Sequence, residues 1–269
     1  MRVAVGQFAS GPDKEANRRR AVELVRAGAD GGAGLVVLPE ASMHGFGAAD
    51  ADLAAVAEPL DGPFVTDLAA AAAGTGVVAV AGVFEVSGVP GRAFNTVVVV
   101  GPGGLLASYR KVHLYDALGW RESDRVEPGD AASPPGVVTI GDLRLGVMTC
   151  FDLRFPEAAR VLVDHGATVL AVPAAWVAGP GKREQWEVLL RARAIESTAF
   201  VVAAAQPEPV YTGHSAIVGP TGVVRCSLPG SVDVGHRGVA FAEVDATEVA
   251  EVRAAMPVLA SRRYVVRPA

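Results

Sequence analysis

One segment of this chain is repeated. Gly32-Ala33-Gly34-Leu35-Val36-Val37-Leu38-Pro39-Glu40-Ala41 aligns without gaps on Gly166-Ala167-Thr168-Val169-Leu170-Ala171-Val172-Pro173-Ala174-Ala175, and Glu40 falls opposite Ala174. Each copy is an apolar strand pattern preceded by an amphipathic helix pattern, at 14–29 and 156–165. Each helix in turn follows a strand pattern, at 2–8 and 143–149. The repeat therefore predicts a duplicated strand-helix-strand unit. Such units set neighbouring strands parallel with helices outside, and two similar halves favour two sheets packed face to face. Further strands are expected at 77–84, 94–100, 105–109, 199–205, 214–219 and 239–244, and helices near 63–74 and 182–198. No linker or low-complexity break interrupts the 269 residues, so a single domain over 1–269 is expected.

Composition narrows the class. Hydrophobic residues make up 51% of the chain but come in short runs broken by Gly and Pro. None reaches the ~18 apolar residues of a membrane span, so no membrane is expected as partner. Met1-Arg2-Val3-Ala4-Val5-Gly6-Gln7-Phe8 enters a strand directly, without the longer apolar region of a secretory signal, which points to the cytoplasm. Two cysteines, Cys150 and Cys226, are too few for a disulfide framework and suit a reducing compartment. With 24 basic and 29 acidic residues the formal charge is −5, which gives no general electrostatic reason to bind nucleic acid. Arg18-Arg19-Arg20 opens a helix pattern and reads as a solvated face.

Cys150 occupies the sharpest change of pattern. In Val147-Met148-Thr149-Cys150-Phe151-Asp152-Leu153-Arg154-Phe155-Pro156-Glu157 a strand pattern breaks and a helix pattern begins at once, with Pro156 suited to the first helical turn. A thiol at such an elbow is exposed beyond the sheet edge, and nearby backbone N–H groups can face a developing oxyanion. Alone, it reads equally as a small buried hydrophobe. Two further segments end on charged groups: Leu35-Val36-Val37-Leu38-Pro39-Glu40-Ala41-Ser42, and Tyr109-Arg110-Lys111-Val112-His113-Leu114-Tyr115-Asp116.

Glu40 in LPEAS, Lys111 in YRKVHLYD and Cys150 in TCFDLRFPE, in that order, resemble the carbon-nitrogen hydrolase family, or nitrilase superfamily. The resemblance extends to the opening VAVGQF, to WEVLLRARAIEST, to YTGHSAIVGPTG and to the closing SRRY. It implies an α/β fold, a four-layer α-β-β-α sandwich. It also implies a homodimer paired through helices near the nucleophile, for which the apolar stripes of Phe155–Val163 and Trp186–Arg193 are candidates. Such stripes equally serve to cover the protein's own sheet. True nitrilases typically carry Trp-Glu after the cysteine. Phe151-Asp152 departs from that, and resembles the amidase branch of Nit proteins, omega-amidase and deaminated glutathione amidase.

The chemistry implied is hydrolysis of a small linear amide by water, with release of ammonia. Covalent attack by Cys150 divides the reaction into formation and breakdown of a thioester. A thiol with a pKa of ~8.5 needs a base, and Glu40 is the candidate, serving again to activate water. Lys111 and the Phe151 backbone N–H are candidates to stabilise the oxyanion, with Lys111 also able to protonate departing ammonia. Glu122 resembles a second glutamate common downstream of the catalytic lysine. It orients Lys111 or the substrate amide, or else sits on a mobile loop. Trp176 lines the pocket or belongs to the core. Asp152 and Arg154 are expected to form a buried ion pair bracing the elbow. His113 is expected to pack or hydrogen-bond beside the site. Arg92, Arg121 and Arg183 face a substrate carboxylate or water.

The five histidines, at 44, 113, 165, 214 and 236, lack the short spacings of a zinc site, and no metal or cofactor is expected. Gly213-His214-Ser215-Ala216-Ile217 fails the serine nucleophile elbow at its last position. Two alternatives stand beside the amidase. One is an N-carbamoyl amino acid hydrolase, which releases carbon dioxide as well as ammonia. The other is a redox-sensing or scaffold protein with a reactive Cys150, which leaves Glu40 unexplained.

Overall fold

Along the first half of the chain come β1 (Arg2–Gly6), α1 (Lys14–Asp30), β2 (Leu35–Val37), α2 (Leu53–Val56), α3 (Pro63–Thr75), β3 (Val78–Val86), β4 (Ala93–Gly101) and β5 (Gly104–Arg110). Short strands β6 (Asp116–Ala117), β7 (Trp120–Arg121) and β8 (Val126–Glu127) follow, with a 3-10 turn at Glu122–Asp124. The second half runs β9 (Val137–Ile140), β10 (Leu143–Val147), a 3-10 turn at Cys150–Arg154, α4 (Pro156–Asp164), β11 (Val169–Ala174), α5 (Lys182–Ser197) and β12 (Phe200–Ala205). It closes with β13 (Ala216–Val218), β14 (Val224–Ser227), β15 (Val239–Glu243) and α6 (Ala246–Ala255). This computed structural model describes residues 1–133, 136–231 and 238–268; His236 lies outside them.

The repeat seen in the sequence is a repeat of topology. One sheet has the order β15-β1-β2-β3-β4-β5, with β8 also on β4, and the other has the order β14-β13-β12-β11-β10-β9. In the first, β1, β2 and β3 are parallel, and antiparallel strands flank them on both sides. In the second, β10, β11 and β12 are parallel and flanked in the same way. Register carries the match further. Leu35 sits between Val3 and Val78, and its counterpart in the repeat, Val169, sits between Leu145 and Phe200.

Strand alternation explains the four layers. Val3, Val5, Leu35, Val37, Val97 and Val99 of one sheet share a core with Leu143, Leu145, Val169, Phe200 and Val202 of the other. The alternate residues Ala4, Val36, Ala79 and Val98 turn outward onto α1 and α3, against Leu24, Val25, Phe64 and Leu68. Leu170, Val172, Val201 and Ala203 turn outward onto α4 and α5, against Leu162, Trp186 and Leu190. The order is thus helices, sheet, sheet, helices. Both faces of the parallel strands at the centre of each sheet are covered, which is why these strands read as nearly continuous apolar runs.

Local signals set the helix ends. The Asp13 carboxylate accepts from the N–H groups of Glu15 and Ala16 at the start of α1, and Pro63 and Pro156 open α3 and α4. The expectation that helix follows strand immediately at Cys150 is corrected. β10 ends at Val147, α4 starts at Pro156, and a 3-10 turn occupies the interval. No helix among the described residues is long and apolar enough to cross a membrane.

Candidate active site

Strand ends from both sheets open on one cavity of about 170 Å³. Glu40 lies just beyond β2, Lys111 just beyond β5, Glu122 on the first 3-10 turn, Cys150 on the second, and Ala175 and Trp176 just beyond β11; all six line it. Ligand sites in parallel sheets lie at the carboxyl ends of strands, and β2, β10 and β11 obey that rule. The charged groups are far from the solvent-facing positions their residue types usually take: Glu40 and Glu122 are 1% exposed and Lys111 is 2% exposed.

Glu40 reaches this position because its backbone lies directly on β3. A Cβ added to Gly82 would come within 2.5 Å of the Ala41 nitrogen and 2.6 Å of the Glu40 Cα, so only glycine admits the approach. The Pro39 carbonyl accepts from the Gly82 N–H at 3.0 Å. Ala41 then takes a positive φ of 55°, and Cys150 does likewise at 44°, a conformation that costs any residue with a side chain. The Cys150 corner lines the cavity, and the Ala41 corner directly follows Glu40, which also lines it.

The three buried charges form a closed cluster. Lys111 Nζ donates to Glu40 Oε1 at 3.0 Å and contacts Glu122 Oε1 and Oε2 at 3.1 and 2.8 Å. Asn95 Nδ2 donates to the same Glu40 Oε1 at 2.7 Å and the same Glu122 Oε1 at 3.0 Å. Glu40 Oε2 accepts from the Ala175 N–H, and Glu122 Oε2 from the Tyr115 N–H, each at 2.7 Å. Burial alone would push Lys111 toward neutrality, but the charges of Glu122 and Glu40 outweigh it and raise its pKa well above the usual lysine range. Burial, reinforced by Glu40, pushes the Cys150 thiol well above its usual range, with Lys111 opposing.

The elbow is braced differently from the expectation. Asp152 and Arg154 do not pair, because the turn sends one inward and the other toward the cavity. Buried Asp152 accepts from Tyr109 Oη at 2.7 Å, from the Thr149 N–H at 2.9 Å and from the His113 N–H at 3.1 Å, with His113 Nδ1 at 2.7 Å. His113 stacks on Phe155, with ring centroids 3.8 Å apart. Arg193, buried behind the turn, donates to the Leu153 carbonyl at 2.6 Å.

Arg154 instead lies over the Trp176 ring at 4.7 Å and donates to Gln185 Oε1 at 2.7 Å. Lys182 Nζ lies over the rings of Trp176 and Tyr115 at 5.2 and 5.3 Å. Burial and the neighbouring Arg154 charge lower its pKa. Both cations line the cavity, and among the described residues neither has a carboxylate within ion-pair distance. Arg92, Arg121 and Arg183 do not line it; they pair with Glu127, Asp124 and Glu187. Trp176 satisfies both readings, walling the cavity while packing on Trp186 and donating Nε1–H to the Lys182 carbonyl.

The description Carbon-nitrogen hydrolase belongs to the family whose model matches residues 2–254. A hydrolase of Mycobacterium tuberculosis is 42% identical over 229 residues, covering 83% of this chain and 79% of that protein. Deaminated glutathione amidase of Escherichia coli O157:H7 is 37% identical, with 98% of each chain covered. Among solved structures, Nit3 of Saccharomyces cerevisiae, a branch 10 member of the nitrilase superfamily, matches with a TM-score of 0.84 at 26% identity. That match covers 98% of this chain and 95% of Nit3.

Proposed function

The chain belongs to the carbon-nitrogen hydrolase family and is a carbon-nitrogen hydrolase, and we propose that it cleaves a small linear amide to ammonia and a carboxylate through a thioester on Cys150. One observation carries the reading: a thiol, a carboxylate and an ammonium, each almost fully buried, line a single cavity. Cys150 is held as the neutral thiol, so its proton must leave during attack, and Glu40 is the base beside it. Sulfur bonds to the amide carbon while the proton passes to Glu40. Lys111 keeps its charge and, with the Phe151 N–H, faces the developing oxyanion. As the C–N bond breaks, Glu40 returns the proton to nitrogen and ammonia departs. The raised pKa of Lys111 favours Glu40 as that donor. Water then gives a proton to Glu40 and attacks the thioester; as the C–S bond breaks, Glu40 passes that proton to sulfur, which restores the thiol and the carboxylate.

Glu122 accepts from Lys111, Asn95 and the Tyr115 N–H, which suits orienting Lys111 better than exchanging protons. Arg154 and Lys182, cations beside Trp176 without acid partners among the described residues, fit a carboxylate at the far end of the substrate. The name of the E. coli relative, deaminated glutathione amidase, is in keeping with such an acid. A carbamoyl amino acid also carries a carboxylate and remains the second reading. The redox-sensing alternative loses its ground, since sensor thiols are accessible and easily ionised whereas Cys150 is 8% exposed with a raised pKa.

The shared site supports reading residues 1–269 as one domain, and its reactive thiol suits the reducing cytoplasm. The apolar stripes of α4 and α5 mostly cover their own sheet. Val188 and Ile195 of α5 remain exposed and are the apolar part of the homodimer face we infer. The test of function is an ammonia-release screen over omega-amides, deaminated glutathione, neutral aliphatic amides and carbamoyl amino acids. Expected is ammonia without carbon dioxide, with acid-bearing amides preferred over neutral ones by about tenfold or more, the scale of a hydrogen bond to a charged group. Release of both gases as the preferred reaction would install the carbamoylase. No ammonia from any amide would remove the amidase reading.

A further inference from the structure

Asn95 is the amide side chain of β4, in Phe94-Asn95-Thr96-Val97-Val98-Val99-Val100, and it is fully buried. It does not line the cavity. Both acceptors of its Nδ2 are carboxylate oxygens, so only the NH2 end of the amide can face them. No donor among the described residues reaches Oδ1 at the other end. The side chain is therefore oriented wholly by Glu40 and Glu122. Its backbone carbonyl also accepts from the Lys111 N–H at 2.8 Å, so one residue fixes the backbone of the cation and the facing oxygens of both acids.

We propose that Asn95 is a positioning residue that reserves Glu40 Oε2 for the thiol proton by bridging Glu40 Oε1 to Glu122 Oε1, a role that rests on Glu40 being the base. Two carboxylates that face each other across one buried ammonium repel, and donors between them offset that repulsion. Here the two facing oxygens are the pair that Asn95 Nδ2 and Lys111 Nζ both hold. N–H groups of Asn95 and Lys111 thus bridge the facing oxygens. Glu40 Oε1 is thus committed to two donors, while Oε2 accepts from the Ala175 N–H, beside Cys150. Removing Asn95 takes one N–H donor from each carboxylate, frees Glu40 to turn, and removes a hydrogen bond of the kind that favours a carboxylate's charged form.

The experiment follows ammonia release against pH for wild type, Asn95→Ala, Asn95→Asp and Glu40→Gln, each checked for native circular dichroism. For Asn95→Ala, kcat should fall about tenfold or more with KM little changed, and the acidic limb of kcat/KM should move to higher pH. Asn95→Asp, nearly the same shape but with a third carboxyl in place of two N–H donors, should lose more and shift further. A purely structural role would lower stability and leave the pH profile of the folded fraction in place, which would overturn the proposal. In wild type, both Asn95 side-chain amide protons should exchange slowly with solvent, a reading that needs no variant; fast exchange would likewise contradict it. Glu40→Gln separates the two inferences. If it keeps turning over, the base assignment fails; if it is inactive while Asn95→Asp keeps the wild-type rate and profile, the Asn95 role alone fails.

Discussion

Just beyond β2 the chain places Pro39-Glu40-Ala41; at the end of β11, the matching strand of the other sheet, it places Pro173-Ala174-Ala175. The two copies of the repeat touch, since Glu40 Oε2 from one accepts the Ala175 N–H from the other. Their chemistry has separated. The first half supplies a carboxylate, an ammonium, a second carboxylate and the asparagine that binds them. The second supplies the thiol, a backbone donor and the wall of Arg154, Trp176 and Lys182. A topology common to both halves explains the packing, while the side chains by which they differ line the shared cavity.

The largest effects should come from removing the group that each half contributes. Cys150→Ser should abolish ammonia release in a folded protein, because oxygen at this position lacks the nucleophilicity of sulfur. Substantial residual turnover would remove the thioester. Glu40→Gln and Lys111→Met, from the opposite sheet, should each cost about 100-fold or more in the chemical step, the scale of a positioned base or oxyanion group. Single-turnover rates near wild type for either would mean that the first half is misread. Smaller effects should come from the wall. Arg154→Met and Lys182→Met should raise KM for an acid-bearing amide by about tenfold while leaving kinetics on a neutral amide nearly unchanged. Equal losses on both substrates would assign those cations to structure. Cys226→Ser, at a half-buried position of exposed β14, should be silent in the same assay.

How far this was legible in the sequence follows from which groups have side-chain signatures. The repeat and the alternation of Val and Ala marked the parallel strands, and Glu40, Lys111 and Cys150 stood out as polar residues at element ends. β9 and β14 went unread because edge strands with one exposed face carry little apolar pattern, and α6 because it buries only Val249. Ala175 and Tyr115 act through backbone N–H groups, which no residue type announces. Asn95 did carry a signal, as an amide beside a run of valines. Arg154 and Asp152 lie two residues apart on one 3-10 turn, which directs each to a different neighbour, and residue type alone does not reveal that turn. Arg92, Arg121 and Arg183 drew notice as candidate cations, while Lys182, beyond the second strand end, did not.

In the proposed reaction, sulfur from one half forms a bond to substrate using a base from the other. Rapid-quench mass spectrometry of the intact enzyme during turnover of an acid-bearing amide tests it directly, with peptide mapping of any adduct. The account predicts an acyl group on Cys150, with the mass of the substrate less ammonia, that forms and decays on the timescale of turnover. It should be missing from both Cys150→Ser and Glu40→Gln. Full turnover with no adduct at any time, or the same adduct forming at wild-type rate in Glu40→Gln, would contradict it.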